Sequence, residues 1–530
     1  MALLRCDVLV IGLGPTGAVL AALLGAQGIS TIVIDREPAL LNLPRAVHFD
    51  GEVMRTFQNM GIAELLRPML RPSAGMQYVN ARGLLMLERK PAAGVGPHGW
   101  ANNYLFHQPD LENCLRQHLS QFASVRVMTH TALVALNVSP ESVTARIDSY
   151  GNEADAQEGT GSQQMDTDQP EGYRCGPRSV PLTHEVHAAW VVGCDGARSL
   201  VRDHMESGLI DLGLHQEWLV VDVELLEPVN LPAVTVQYCN PDRPITYVNV
   251  TGNRRRWEIM VMPGDDPEAL RTPQRLWSML SEWVQPHQVR LVRSALYTFH
   301  SLITEKWRAG RLLLAGDSAH QTPPFLGQGM CAGIRDAANL AWKLAAVIKQ
   351  IASPSLLDSY MSERLPHVQE FIETAIRLGN LIQTTDPAVA AQRDQGFLAA
   401  GPQQIVNLSP ALGVGCHTGA PRAGMIASQP QLSDGRRLDE ALPKQGLACV
   451  SAEPLTPLQK QQLSDRIGKI GLKCHVDPSL ASWLRELGAR FVLLRPDRYV
   501  AATALEWEEI EQWPIETWGL ARADSAAHHV

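Results

Sequence analysis

Gly316-Asp317 closes a short apolar run, Leu312 to Ala315, and is followed by Pro323, Pro324, Gly327 and Gly329 and then by apolar residues at helical spacing (Ile334, Ala337, Ala338, Leu340, Ala341, Leu344). A buried strand, a loop barred from regular structure by proline and glycine, and a helix whose N-terminus points back into that loop make a cradle for an anionic ligand. Asp317 is left to accept hydrogen bonds from hydroxyls. The N-terminal region offers the same chemistry: Gly12, Gly14 and Gly17 stand between an apolar strand (Val8 to Ile11) and an apolar helix, and Asp35 ends a second strand (Thr31 to Ile34). Gly12 permits the tight turn, Gly14 lets the backbone approach a pyrophosphate, Gly17 lets the helix lie close on the sheet, and Asp35 can accept both ribose hydroxyls. A third strand-ending carboxylate, Asp195, sits in Cys194-Asp195-Gly196, with Arg198, Ser199 and Arg202 behind it.

Other reactive groups are sparse. In LPRAVHFDGEVMR, Arg45 has a planar fork suited to phosphate, and His48 and Asp50 are the nearby titratable pair; each is also a plausible solvated or turn-bonded loop residue. Gln108 precedes a helix and can either contact a ligand or cap that helix. Nine cysteines are scattered with no CxxC pair, so neither a disulfide framework nor a metal site is expected.

The elements that must carry these groups read as α/β. Strand, glycine turn, helix and strand at the N-terminus form a βαβ unit, and the Asp317 segment completes it from far along the chain, so a dinucleotide domain is expected to be discontinuous, over 1–205 and 290–383. Between its halves, WLVVDVEL, AVTVQYC, ITYVNV and RWEIMVMP read as strands of a mainly β unit, 206–289. Residues 384–434 read as a connection and 435–530 as a third unit, while 149–181 lose periodicity and read as an insertion. A length of 530 residues suits three such units. The net charge of −9 and the lack of a basic block argue against nucleic acid. Glycines break the apolar stretch from Val8 to Ile34, so no membrane span is expected, and Asp7 spoils a signal peptide; a cytoplasmic setting is predicted.

The three strand-end motifs together resemble the single-component FAD-dependent aromatic hydroxylases of the phenol hydroxylase type, over almost the whole chain. Within that group, LPRAVHFDGEVMR, RRWEIMVMPGD, GIRDAANLAWKL and LRPDRYVAATA are similar to the meta-hydroxyphenylpropionate hydroxylases and related polyketide phenol hydroxylases. The resemblance implies a Rossmann-like FAD-binding domain, a β substrate domain and a C-terminal thioredoxin-like domain, to which the missing CxxC leaves structure or homodimer contacts. It implies FAD, NADH or NADPH, dioxygen and a phenolic substrate, hydroxylated through a flavin hydroperoxide. Carried over by motif, Gly12, Gly14, Gly17 and Asp35 take the ADP half of FAD, and Arg45 and Gln108 its middle. Asp195 serves FAD and the nicotinamide nucleotide, and Asp317 the ribityl or pyrophosphate region. Pro324, Gly327 and Gly329 belong to the loop against the flavin ring. Asp50 is the candidate base and His48 the alternative; Arg243 and Arg254 to Arg256 offer charge for an acidic substrate side chain. Cys331 departs from the usual Asn, and Asp35 from the commoner Glu. Two other readings share the motifs: a flavin-dependent reductase or dehydrogenase, and a non-catalytic flavin-binding sensor.

Overall fold

The computed structural model describes residues 2–40, 45–91, 94–150, 181–467, 473–510 and 513. The expected insertion at 149–181 lies, apart from its ends, outside the described residues, as does the chain's last stretch.

β1 (Ala2–Ile11) carries a buried apolar run, and after α1 (Pro15–Gly25) the chain returns beside it in parallel as β2 (Thr31–Ile34). β3 (His48–Asp50) runs directly into α2 (Gly51–Met60), followed by α3 (Ala63–Leu66) and β4 (Arg71–Pro72). β5 (Met76–Asn80) and β6 (Leu85–Arg89) form a hairpin, and β7 (Asn103–Leu105) pairs with both β3 and β4. α4 (Gln108–Leu119) packs on α1, and β8 (Val125–Met128) extends the first sheet beyond β2. β9 (Thr131–Val138) and β10 (Val143–Ser149) lead to β11 (Leu182–Gly193), which lies parallel to β1 on its other side, and α5 (Leu200–His204) follows the Asp195 turn.

The middle sheet is built on β12 (Leu209–Leu225), β13 (Thr235–Cys239), β14 (Ile245–Asn249) and β15 (Arg254–Met260). Leu270 of α6 (Pro267–Leu270) and Leu276 and Leu280 of α7 (Pro273–Leu280) bury against it, before the long β16 (Val289–Thr304). β17 (Arg308–Ala309) and β18 (Leu312–Leu314) return the chain to the first sheet, whose order is β17-β18-β11-β1-β2-β8. β19 (His320–Gln321) then precedes three helices, α8 (Gly329–Ile348), α9 (Asp358–Ile382) and α10 (Pro387–Ala400), and β20 (Gln403–Gln404). The middle sheet runs β19-β16-β12-β15-β14-β13-β5-β6-β20. It therefore recruits the 76–89 hairpin from the N-terminal half and an edge strand from the 384–434 stretch expected as a connection, which also holds α10. Neither was visible in the sequence, because pairing partners far apart in the chain leave no local periodicity.

A last, mixed sheet orders β22-β21-β23-β24, from β21 (Ala448–Ser451), β22 (Lys473–Val476), β23 (Phe491–Leu494) and β24 (Val500–Ala504). It sets Cys449 opposite Cys474 on parallel neighbours, and the hydrogen bond between the thiols draws Cys474 down to about 7. This C-terminal unit is tied to α2 and α9 by buried charges. Arg55 of α2 makes a two-pronged pair with Asp439 at 2.6 and 2.7 Å, and Tyr499 donates to Glu52 at 2.8 Å. Glu363 of α9 receives Lys343 at 2.7 Å and Arg495 at 2.8 Å. Among the described residues no helix is long and apolar enough to cross a membrane, and no group of three His, Cys, Asp or Glu is placed to hold a metal ion.

Candidate active site

At the C-terminal ends of β1, β2 and β11 lies an open cleft lined by Gly12, Gly14, Asp35, Arg45, Arg116, Asp195 and Arg198 among others. Its floor is backbone. Gly12 has φ +102°, and a Cβ there would stand 2.4 Å from the Cys194 carbonyl oxygen; a Cβ on Gly17 would stand 2.0 Å from the Gly12 carbonyl oxygen. A Cβ on Gly14 would meet nothing within 4 Å, because that position opens into the cleft. Gly14 caps α1 without a side-chain hydrogen bond, so the first-turn N–H groups and the positive end of the helix are left for a ligand. Asp35 is pinned by Leu13 N–H at 2.7 Å and Glu37 N–H at 2.8 Å, which aims its remaining lone pairs outward. On the opposite wall, one Asp195 oxygen caps α5 and the other, Oδ1, is buried with no hydrogen-bond partner among the described residues.

A second cradle forms where β18 ends. The Gly316 N–H and His320 Nε2 both bond Asp336 Oδ2, at 3.0 and 2.6 Å, and Arg364 donates to Oδ1 at 2.9 Å. Burial opposes ionisation of Asp336, but His320 and Arg364 outweigh it and hold the carboxyl below its usual range. α8 approaches so closely that a Cβ on Gly333 would sit 2.2 Å from Thr16 Oγ1, which locks the start of α8 to that of α1. Asp317 is exposed at the mouth of this cradle; protein crowded on its other sides pushes its carboxyl above the usual range, against the pull of His320 and Arg45.

Between the cradles and the middle sheet, Pro324–Leu326 make one 3-10 turn, which Gly327 ends at φ +66°. A Cβ on Gly327 would meet His48 Nδ1 at 2.8 Å, so the loop rests on the imidazole with no room for a side chain. His48 Nδ1 lies 3.2 Å from the Gly327 carbonyl oxygen and Nε2 2.8 Å from Asn103 Oδ1. Burial, with the Arg89 charge nearby, pushes the imidazole below the usual histidine value. Asp50 caps α2 through the Val53 N–H at 3.1 Å, accepts from Gln328 at 3.1 Å and pairs with Arg335 at 2.5 Å. Burial alone would raise its pKa, but Arg335 and the cap bond win and set it at about 2. Beyond the loop, Phe325 contacts Trp218 (ring centres 5.9 Å apart) within a cluster that includes Met76, Tyr78, Met260 and Ile382.

A model of the FAD binding domain family matches residues 5–375. The probable NADH-specific resorcinol 4-hydroxylase of Rhodococcus jostii (strain RHA1) is 40% identical over 74% of this chain and 69% of its own. A 3-(3-hydroxy-phenyl)propionate/3-hydroxycinnamic acid hydroxylase of Burkholderia vietnamiensis (strain G4 / LMG 22486) is 31% identical over 94% of this chain and 93% of its own. The chain belongs to the FAD-dependent aromatic hydroxylases. The fold agrees: aklavinone-11 hydroxylase, solved with FAD and aklavinone, superposes with a TM-score of 0.76 at 20% identity, covering 98% of this chain and 99% of that one.

The donors of this hydroxylase fit FAD. A pyrophosphate suits the uncapped α1 terminus, and a ribose suits the outward lone pairs of Asp35. The open space at Gly14 is what a ligand needs there. The sequence-predicted residues fall into three groups. Gly12, Gly14, Asp35, Arg45 and Asp195 line one cleft, with Gly17 packed beneath it. Asp317, Pro324, Gly327 and Gly329 frame the second cradle and the loop, with His48 under it. The remaining group is committed to the protein itself. Gln108 Oε1 accepts from Arg45 N–H at 2.9 Å and Ala46 N–H at 2.6 Å, and its Nε2 donates to Glu112, so its amide shapes the Arg45 loop. Asp50, expected as a base, holds Arg335 and Gln328 at the start of α8. Arg243 pairs with Asp265, Arg254 with Glu224 and Arg256 with Asp222. Asp336 and Arg335 were missed; the signal was two charges inside the apolar helical pattern of GIRDAANLAWKL, where a buried charge must have a partner.

Proposed function

We propose that this hydroxylase acts on a small phenol with a second substituent meta to the hydroxyl, of the resorcinol or 3-hydroxyphenyl carboxylate kind, with NADH as the electron donor and dioxygen as the oxidant. The observation that carries this reading is the contact between the Gly327 loop and His48, which sets a titratable side chain beneath the proposed flavin loop and beside the aromatic cluster. The two relatives named above act, by their names, on rings that share the meta relation.

Gly12, Gly14, Gly17 and Asp35 hold the ADP half of FAD in this reading, Arg45 and Asp195 flank it, and Asp317 and the 323–329 loop hold the rest. Bound FAD supplies the redox chemistry, taking electrons from the nicotinamide and delivering oxygen to the ring. His48 handles the phenolic proton. Both of its neighbours, the Gly327 carbonyl and Asn103 Oδ1, are acceptors, and a neutral imidazole has one N–H to give. Nδ1–H satisfies Gly327, and Nε2 is free to accept from a substrate hydroxyl that displaces Asn103. A depressed pKa keeps this nitrogen unprotonated at neutral pH. A carboxyl ionising at about 2 is a poor base, so Asp50 acts through Arg335 and Gln328, fixing the start of α8. The Trp218–Phe325 cluster excludes water from the reacting ring. The C-terminal unit is assigned a homodimer contact, to be checked by sedimentation.

The test measures NADH, dioxygen and hydroxylated product together for resorcinol, 3-(3-hydroxyphenyl)propionate and phenol. One hydroxylated product formed for each NADH and each dioxygen consumed, fastest with a meta-substituted ring, is expected. NADH oxidation that continues without dioxygen would replace this reading with a dehydrogenase, and no turnover with any phenol would leave a sensor.

A further inference from the structure

β6 ends on Arg89, which is only 7% exposed. Among the described residues its guanidinium has neither an ion pair nor a hydrogen bond. Other buried arginines differ: Arg55 has Asp439, Arg256 has Asp222, Arg335 has Asp50 and Glu52, Arg364 has Asp336, and Arg495 has Glu363. A buried cation with no counter-ion is expensive, and folding alone gives no reason to keep it. Arg89 lies within electrostatic reach of His48, Asp50 and Tyr78. Asp50 is already neutralised by Arg335. Tyr78, on the neighbouring strand β5, is fully buried in the aromatic cluster, and its hydroxyl has no partner among the described residues. Two unsatisfied donors, one charged, thus stand in the same region as the imidazole assigned to the phenol.

We propose that Arg89 anchors an anionic oxygen of the substrate, with the Tyr78 hydroxyl as second donor, so that the ring is held at one end by this pair and presents its phenolic hydroxyl to His48. The inference rests on the meta-substituted phenol reading and sharpens it: the second substituent must carry an oxygen that can accept from this pair, either a carboxylate or a second ring hydroxyl that gives up its proton to solvent on binding. Arginine suits this task because it stays charged when desolvated and its fork can hold two oxygens.

Binding to the oxidised, FAD-loaded protein, followed by calorimetry without turnover, tests it with 3-(3-hydroxyphenyl)propionate, resorcinol and phenol as probes. Arg89→Gln should weaken the propionate by about 10- to 100-fold, the range for a lost charge-assisted bond, and phenol by less than about twofold. Arg89→Lys should restore part of the loss, and Tyr78→Phe should give a smaller loss in the same direction. A loss confined to the propionate identifies the carboxylate as the partner; a loss shared by resorcinol identifies the ring oxygen. The melting temperature of Arg89→Gln should stay level or rise, since an uncompensated charge has gone. A fall in melting temperature with binding unchanged, or an equal loss for phenol, overturns the proposal. Wild-type protein that binds none of the three probes overturns the substrate reading itself.

Discussion

The nucleotide cleft and the aromatic compartment are made of different material. The cleft is a backbone structure: at Gly12 and Gly17 a Cβ would collide with main-chain oxygens, and at Gly14 a Cβ would project into the open cleft. The compartment is a side-chain structure, in which Trp218, Phe325 and Tyr78 arrive from three separate segments to pack in one cluster. A site made of backbone is intolerant of almost any substitution and binds a ligand shared with many proteins. A site made of side chains can change one residue at a time, which is how one cofactor cradle can serve many substrates.

Gly14→Val presses hardest on this contrast. It should abolish FAD binding, read from flavin absorbance, while the apo protein keeps its circular dichroism; Gly17→Val should fail to fold at all. If Gly14→Val retained flavin, the cleft would not be the nucleotide site. His48→Ala comes next: FAD should remain, but hydroxylated product should fall by about 100-fold or more, the usual scale for a lost base. The depressed histidine pKa adds a sign to check. Wild-type product formation should hold level as pH drops through 6.5, because the working neutral form persists; a drop centred there would mean that the working base keeps an ordinary histidine pKa, against the depression that burial gives His48.

Asp50 probes the seam between the two regions. Asp50→Ala loses a helix cap, about 1 kcal/mol, and one of two carboxylates on Arg335, so FAD should stay while the ratio of product to NADH falls and hydrogen peroxide appears. The folded pKa is depressed from 3.8 to about 2, so the stabilisation is fully present above pH 4 and lost as pH falls toward 2. Acid unfolding of wild type and Asp50→Asn should therefore converge in that window; curves that stay parallel would place the pair elsewhere. The smallest effect is expected from Cys331→Asn. The buried thiol touches the Gly327 carbonyl at 3.6 Å, and an amide can donate to the same oxygen, so coupling should be kept or improved. Complete loss of activity would point to a task for the thiol.

The difference in material also explains what could be read from the chain. Gly12, Gly14, Gly17 and the Gly316-Asp317 turn were legible because backbone conformation is written locally, in residues that few others can replace. The Asp50–Arg335 pair could not be read from the chain, because the two residues lie 285 positions apart. Arg89 gave no signal, since an arginine at a strand end is ordinary until its surroundings are known. Of the arginines that did draw attention, Arg243, Arg254 and Arg256 owe their places to nearby acids, and Arg255 bonds the backbone carbonyls of Gly252 and Arg254. Asp336 could have been found, as a lone acid amid Ile334, Ala337 and Leu340.

The ties between α2, α9 and the C-terminal unit bear on how this enzyme can be cut and recombined. Removing everything beyond the 384–434 stretch, the obvious way to isolate a minimal catalyst, would strand Arg55 without Asp439, at about 3–5 kcal/mol for a broken buried pair, and leave Glu363 with Lys343 but without Arg495. Such a truncation should emerge as aggregate. A chimaera that borrows its C-terminal unit from a relative would have to import Asp439, Arg495 and Tyr499 along with it, so these three residues act as the compatibility code for swapping.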